Sequence, residues 1–342
     1  MLSPRLGPPG KPLNLRRCCL TWISTVRHRP VHCRVAYPPS DIAGAGSAEL
    51  ARRAVLLGLG SLACITFKPP FSFADSQVSE AKILKELSPD QSKYDPNDEN
   101  LLEASNLIQS ALNAGSVQAE EAIWTEVIQK YQASQANWMP DVVGRAYGNR
   151  GNARSRQGKM QEALADFNES MQLCPWSGEP VLNRGVVLEA LGRFEEAVRD
   201  YQSVLAVQPN DPAGWNNLGN ATRGLGQWQE SIGFYGKAVA LSPEFSFAAA
   251  NRALAMYQVG QTDASIREMR TLLRRYPYFA DMRAALAAAL WGLGKQGDAE
   301  TNWSRVDDPR YADRKWLSGE RRWPPRLCAN MENFLDIRDA KQ

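Results

Sequence analysis

The nearest this sequence comes to an acid–base site is a pair of adjacent carboxylates, Glu120–Glu121, repeated in kind at Glu195–Glu196. Paired carboxylates can divide acid and base duties when their surroundings push their proton affinities apart. Here each pair opens a helical segment, where acids complement the positive end of the helix dipole, so a structural reason is enough. Imidazole chemistry fares worse. Both histidines, His28 and His32, lie in the leader that runs from Met1 to Ala74, as do Cys18, Cys19, Cys33 and Cys64. Beyond Ala74 only Cys174 and Cys328 remain, and their separation along the chain makes them two independent thiols. No histidine base, His-ligated metal or His-dependent triad can be assembled from that portion. It also carries no phosphate-cradling glycine loop and no Gly-x-Ser-x-Gly elbow. The expectation is a protein that is not an enzyme, with no cofactor and no metal, whose chemistry is recognition.

The charge balance narrows what could be recognised. The overall charge is +3 over 342 residues, yet the leader up to Ala74 holds ten Lys/Arg against only Asp41 and Glu49. Beyond Ala74 stand thirty basic and thirty-five acidic side chains. A mildly acidic body gives no footprint for phosphates, so nucleic acid is not an expected partner. Hydrophobic residues make up 44% of the chain, enough to bury a core.

The basic leader divides in two. Residues 1–45 are rich in Arg, Pro and Ser and poor in acids, the composition of an organelle transit peptide. Residues 46–74 are different: Arg52 and Arg53 precede an uncharged apolar run, Ala54 to Phe67, too short to span a bilayer as a stable helix. Lys68 and Pro69–Pro70 follow, and Ser72-Phe73-Ala74 places small residues at −3 and −1 of a cleavage point after Ala74. A transit segment followed by a twin-arginine signal resembles the bipartite presequences of chloroplast proteins delivered to the thylakoid lumen. Two other placements stay open, an uncleaved membrane-associated anchor and a mitochondrial presequence. Residues 75–100 are expected to be an acidic polar linker, partly disordered.

The remainder repeats with one fixed period, the step from Gly151 to Gly185. Small residues recur at Gly151, Gly185, Gly219, Ala253 and Ala287, and again at Ala163, Ala197, Ser231, Ser265 and Ala299. Turn glycines recur at Gly158, Gly192, Gly226, Gly260 and Gly294, and closing prolines at Pro175, Pro209, Pro243 and Pro277. Small side chains let two antiparallel helices approach; glycine ends the first, where a left-handed residue is needed, and proline stops the second. Five helix-turn-helix units follow: 144–177, 178–211, 212–245, 246–279 and 280–311. Residues 101–143 form a degenerate capping hairpin. Residues 312–342 form a basic segment and a capping helix whose apolar face is Leu327, Met331, Phe334 and Leu335.

Trp215-Asn-Asn-Leu-Gly-Asn, with Glu230-Ser-Ile-Gly-Phe-Tyr and Pro243, resembles the tetratricopeptide repeat. The resemblance implies an all-α tetratricopeptide α-solenoid. Arg321-Arg322-Trp323-Pro324-Pro325 resembles the end of a small plant family of tetratricopeptide proteins of the chloroplast thylakoid lumen. In such arrays, repeat positions 2, 5, 9, 12 and 13 face a concave groove. Carried onto this chain, they name Arg145, Asn152, Arg156, Glu189, Asn216, Asn220, Arg223, Phe247, Tyr257 and Trp291 as the partner-binding residues. Amides and arginines would pair with a peptide backbone and its carboxylates, and Phe247, Tyr257 and Trp291 would offer an apolar anchor. The chaperone-docking carboxylate clamp of related proteins is not expected. Asn152 and Asn183 match it, but Gly148 stands at its lysine position and Ala213 and Asn217 at its basic pair.

The expected function is therefore a non-catalytic protein- or peptide-binding scaffold of the thylakoid lumen, assisting assembly or maintenance of a thylakoid membrane complex. Any membrane contact would come through a partner complex. The alternatives are a self-associating structural protein, joined through the Phe247–Trp291 side of the groove and the C-terminal helix, and a regulatory subunit of an enzyme.

Overall fold

The computed structural model describes residues 81–340. They form fourteen α-helices and three short 3-10 turns, with no strand among the described residues. The leading hairpin is α1 (Glu99–Leu112) and α2 (Val117–Tyr131). Five hairpins follow: α3 (Met139–Arg156) with α4 (Met160–Leu173), α5 (Glu179–Ala190) with α6 (Phe194–Val207), α7 (Pro212–Gly224) with α8 (Trp228–Leu241), α9 (Ser246–Gln258) with α10 (Thr262–Arg275), and α11 (Ala280–Trp291) with α12 (Gln296–Trp303). The short α13 (Arg314–Gly319) leads to α14 (Pro325–Asp339). No described helix is long and apolar enough to cross a membrane.

Two glycine columns do different work. The turn glycines Gly158, Gly192, Gly226, Gly260 and Gly294 all sit at φ between +73° and +86°. Four of the five have open space where a Cβ would stand, so conformation alone demands glycine there. The helical glycines are set by space. A Cβ on Gly151, Gly185 or Gly219 would lie 2.9, 2.7 or 2.6 Å from the ring of Phe167, Tyr201 or Tyr235. Each of these rings is fully buried on the second helix of its own repeat. In the fourth repeat the ring is replaced by Met269, and the opposite residue is Ala253. A flexible thioether yields the room that a flat ring cannot.

A third column was not legible as a motif. At one constant offset, Arg150 pairs with Asp166, Arg184 with Asp200 and Arg252 with Glu268, each a two-bond fork across one hairpin. Arg184 and Asp200 are 1% and 2% exposed, and Arg184 also donates to Asn168 Oδ1 at 2.8 Å. Repeat 3 carries Leu218 and Phe234 at these places, so the fork is a variant way of filling the site. Only comparing both columns together would have revealed it.

Three boundaries differ from expectation. The helix opening the first repeat begins at Met139 rather than near residue 144, with Pro140 in its first turn. The last repeat's second helix stops at Trp303, well short of residue 311. Residues 81–100, expected as a partly disordered linker, lie against the repeats. Ala81 packs with Val181 and Val204, and Leu84 N–H donates to the Pro175 carbonyl at 2.8 Å. Gln91 donates to Asp141, and Trp138 Nε1 donates to Asp98 at 2.7 Å. Polar composition hid a handful of apolar and capping contacts.

Two stability measurements follow. Gly151→Ala, which would gain about 1 kcal/mol in an open helix, should instead lose about 1–3 kcal/mol by overpacking Phe167. Combined with Phe167→Met it should regain part of that loss, and additive effects in a double-mutant cycle would refute the coupling. Arg184→Leu alone should lose about 3–5 kcal/mol, while Arg184→Leu with Asp200→Leu should lie near or above the natural chain. Chemical denaturation distinguishes the two cases.

Candidate functional site: the inner wall and its C-terminal strap

First helices of successive repeats touch one another, α3 with α5, α5 with α7 and α9 with α11, whereas no second helix reaches the next second helix to the same extent. The first helices therefore make the inner wall of the curve. Helix α14 lies on α11 and α9, on that inner wall, rather than across the open end of the last hairpin. The expected apolar face is right: Leu327, Met331 and Phe334 are fully buried and Leu335 nearly so. The sequence places it over the last repeat; that it also reaches α9 of the fourth was not legible, because amphipathicity says which face is covered and not by what.

The strap fixes itself with specific contacts. Phe334 receives Trp291 and Trp303 edge-on at 5.2 and 5.6 Å. Asn330 Nδ2 donates to Tyr257 Oη at 2.6 Å, close beside Gly292, where a Cβ would collide with the Asn330 amide. Arg326 lies over the Tyr257 ring and donates to its carbonyl. Arg321 forks onto Asp281, whose Oδ1 also accepts from Trp323 Nε1 at 3.0 Å. The phrase Arg321-Arg322-Trp323-Pro324-Pro325 is thus a clasp between the inner wall and α14.

This changes the expected groove. Tyr257 and Trp291, expected as an open apolar anchor, are covered by the chain's own helix. Phe247 remains 58% exposed, edge-on to Phe279. Asn216 and Asn220 spend their amide oxygens inside the array. Asn251 Nδ2 donates to Asn216 Oδ1 at 3.2 Å and to Asn220 Oδ1 at 3.3 Å, and Tyr235 Oη donates to Asn220 at 2.8 Å. They knit repeats 3 and 4 together. Arg145 donates to Asp141, and Arg156 to Glu120 in the leading hairpin; both arginines keep exposed surface, and Asn152 is half-buried. Glu189 accepts from Tyr201 Oη at 3.4 Å and faces Arg322 of the clasp at 3.5 Å. Burial pushes its carboxyl above the usual range, against the pull of Arg223 and Arg322.

The carboxylate pairs are engaged by cations at Glu120, Glu121 and Glu196. Glu121 accepts from Lys159, Arg154 and Gln157, which hold it down to about 2 despite partial burial, and Glu196 accepts from Arg193. Cys174 and Cys328 are free and buried, and burial pushes their thiols up to about 12 and about 11. Neither offers a thiolate nucleophile near neutrality. No group of three or more His, Cys, Asp or Glu among the described residues could hold a metal. Arg52, Arg53 and the cleavage point after Ala74 lie outside the described residues.

Helical hairpins repeating at one fixed period, with a small-residue crossing, a left-handed glycine turn and an inner wall of first helices, define a tetratricopeptide α-solenoid. Family profiles agree: the one described as Tetratricopeptide repeat matches residues 144–175, and the one described as TPR repeat matches residues 188–222. Among solved structures, a tetratricopeptide repeat protein from Parabacteroides merdae is similar, with 18% identity and a TM-score of 0.54, over 68% of this chain and 92% of that one. The Cut9–Hcn1 hetero-tetramer of APC/C matches at 16% identity and 0.51, over 69% and 42%. MamA from Desulfovibrio magneticus matches at 19% and 0.46, over 52% and 94%. No curated protein sequence matches significantly.

Full burial of one apolar side chain contributes about 1.5–3 kcal/mol. A chain ended at Pro324, which loses the buried Leu327, Met331 and Phe334, should therefore melt several degrees lower and bind a hydrophobic dye. An unchanged melting temperature would mean that α14 does not occupy the wall in solution.

Proposed function

We propose that this chain is a non-catalytic protein- or peptide-binding scaffold of the thylakoid lumen, serving assembly or maintenance of a thylakoid membrane complex. The observation that carries the binding half is the inner wall itself, which already accommodates a stretch of polypeptide: the chain's own clasp and α14. A wall of first helices that seats one amphipathic helix by apolar burial and arginine forks has the chemistry to seat another segment. Arg145 and Arg156 on the first repeat and the ring of Phe247 on the fourth remain exposed beyond the strap. The compartment rests on sequence: Arg52–Arg53 before the apolar run 54–67, and Ala74 at the cleavage point, behind an arginine-rich transit segment.

Fractionation of intact chloroplasts with affinity capture of the chain tagged at Gln342 tests both halves. The expected result is a lumenal protein that has lost its leader through Ala74 and brings down subunits or assembly factors of one thylakoid complex. Recovery in mitochondria or the stroma would overturn the compartment. Recovery with copies of itself alone would replace the scaffold with a self-associating structural protein.

A further inference from the structure

Where the clasp passes over the second and third repeats, it leaves a cavity of about 300 Å³ lined by residues from all three, among them Phe194, Asn220, Arg223, Trp228, Arg322 and Trp323. Two lining residues are arginines and none is a carboxylate. Arg223 is 8% exposed, yet its Nη1 is buried without a hydrogen-bond partner. A buried guanidinium donor left unmatched is costly, and the arginine that carries it is one of the residues lining the cavity. Gly224 beside it has no Cβ because one would lie 2.5 Å from the Phe194 ring, so the wall is built tight around the arginine.

The second arginine comes at a conformational cost. Arg322 is the one non-glycine residue with positive φ among the described residues, at +53°, and backbone strain of this kind persists where the surroundings and a function demand it. Its guanidinium lies over Phe194 at 5.7 Å and donates to Glu189 twice, to Oε1 at 3.5 Å and to the backbone carbonyl at 3.4 Å. Its neighbour Arg321 is fully engaged by Asp281. Glu189 is thus a carboxylate that both Arg223 and Arg322 act on.

From this we infer that the cavity between Arg223 and Arg322 is a binding site for one carboxylate of a peptide, either an Asp or Glu side chain or a free C-terminus. A guanidinium fork matches the planar carboxylate. The aromatic walls Phe194, Trp228 and Trp323 suit the apolar stem that carries it. A volume at the low end for ligand sites admits a side chain or chain end rather than a nucleotide. The site is composite, since neither the repeats nor the clasp alone supplies both arginines. It deepens the scaffold reading and rests on it.

The test pans the full chain, immobilised through Gln342, against a randomised heptapeptide library displayed with free C-termini. Selected peptides should lose at least tenfold in affinity when their acidic residue is changed to its amide or their C-terminus is amidated. They should lose as much on Arg223→Met and on Arg322→Met chains. Arg223→Met keeps the apolar stem but removes one of the two cations acting on buried Glu189, so its fold is checked by circular dichroism. If it fails to fold, Arg322→Met, at the cavity's more open side, decides. Peptides bound equally well as amides, or equally well by the variants, would overturn the carboxylate site and leave the scaffold standing. Release of bound peptide by inorganic phosphate at lower concentration than by acetate would make it a site for free anions and overturn it as well. Selection of no peptide at all would remove the scaffold reading together with this one.

Discussion

Every hairpin here depends on how closely its two helices can cross. In the first three repeats that distance is set by a flat ring on the second helix lying against bare backbone on the first, Phe167 on Gly151, Tyr201 on Gly185 and Tyr235 on Gly219. Because interiors are close-packed, one additional methyl at that point would be transmitted through the hairpin. The fourth repeat solves the same problem with Ala253 and Met269. The repeat is therefore a constraint on summed volume at the crossing, which two different residue pairs satisfy.

Stacking such hairpins leaves an inner wall whose polar residues have two possible fates. Some are consumed in joining repeats, as Asn216, Asn220, Asn251 and Tyr235 are at the junction of repeats 3 and 4. Others meet the strap, as Glu189, Tyr257 and Asp281 do. Repeat position alone cannot separate these fates, because both place a polar side chain on the same helix face. The separation comes from what lies opposite in space, and in this chain much of that is its own C-terminal segment.

The strap is held to the wall by two kinds of contact. Arg321 and Trp323 converge on one buried carboxylate, Asp281, so that the clasp is held by charge-assisted bonds while α14 is held by apolar burial. The two modes act at opposite ends of one segment and fix its register on the wall. The cavity at Arg223 lies where the clasp passes over the third repeat, between surfaces that each had to be built for another purpose.

By itself the sequence determined the helical hairpins, their fixed period, the left-handed turn glycines and the apolar face of α14. All of these are local: they follow from backbone conformation and from periodicity within a few helical turns. The Arg184–Asp200 fork spans one hairpin and escaped notice because its signal lies in two columns, each ordinary alone. Only the tertiary structure decided that α14 lies along the inner wall, that residues 81–98 pack on the repeats, and that Arg223 and Arg322 meet although two further repeats separate them along the chain. Those contacts are long-range and non-periodic, and apolar burial, which drives them, is non-directional: it requires that a face be covered without specifying by which segment.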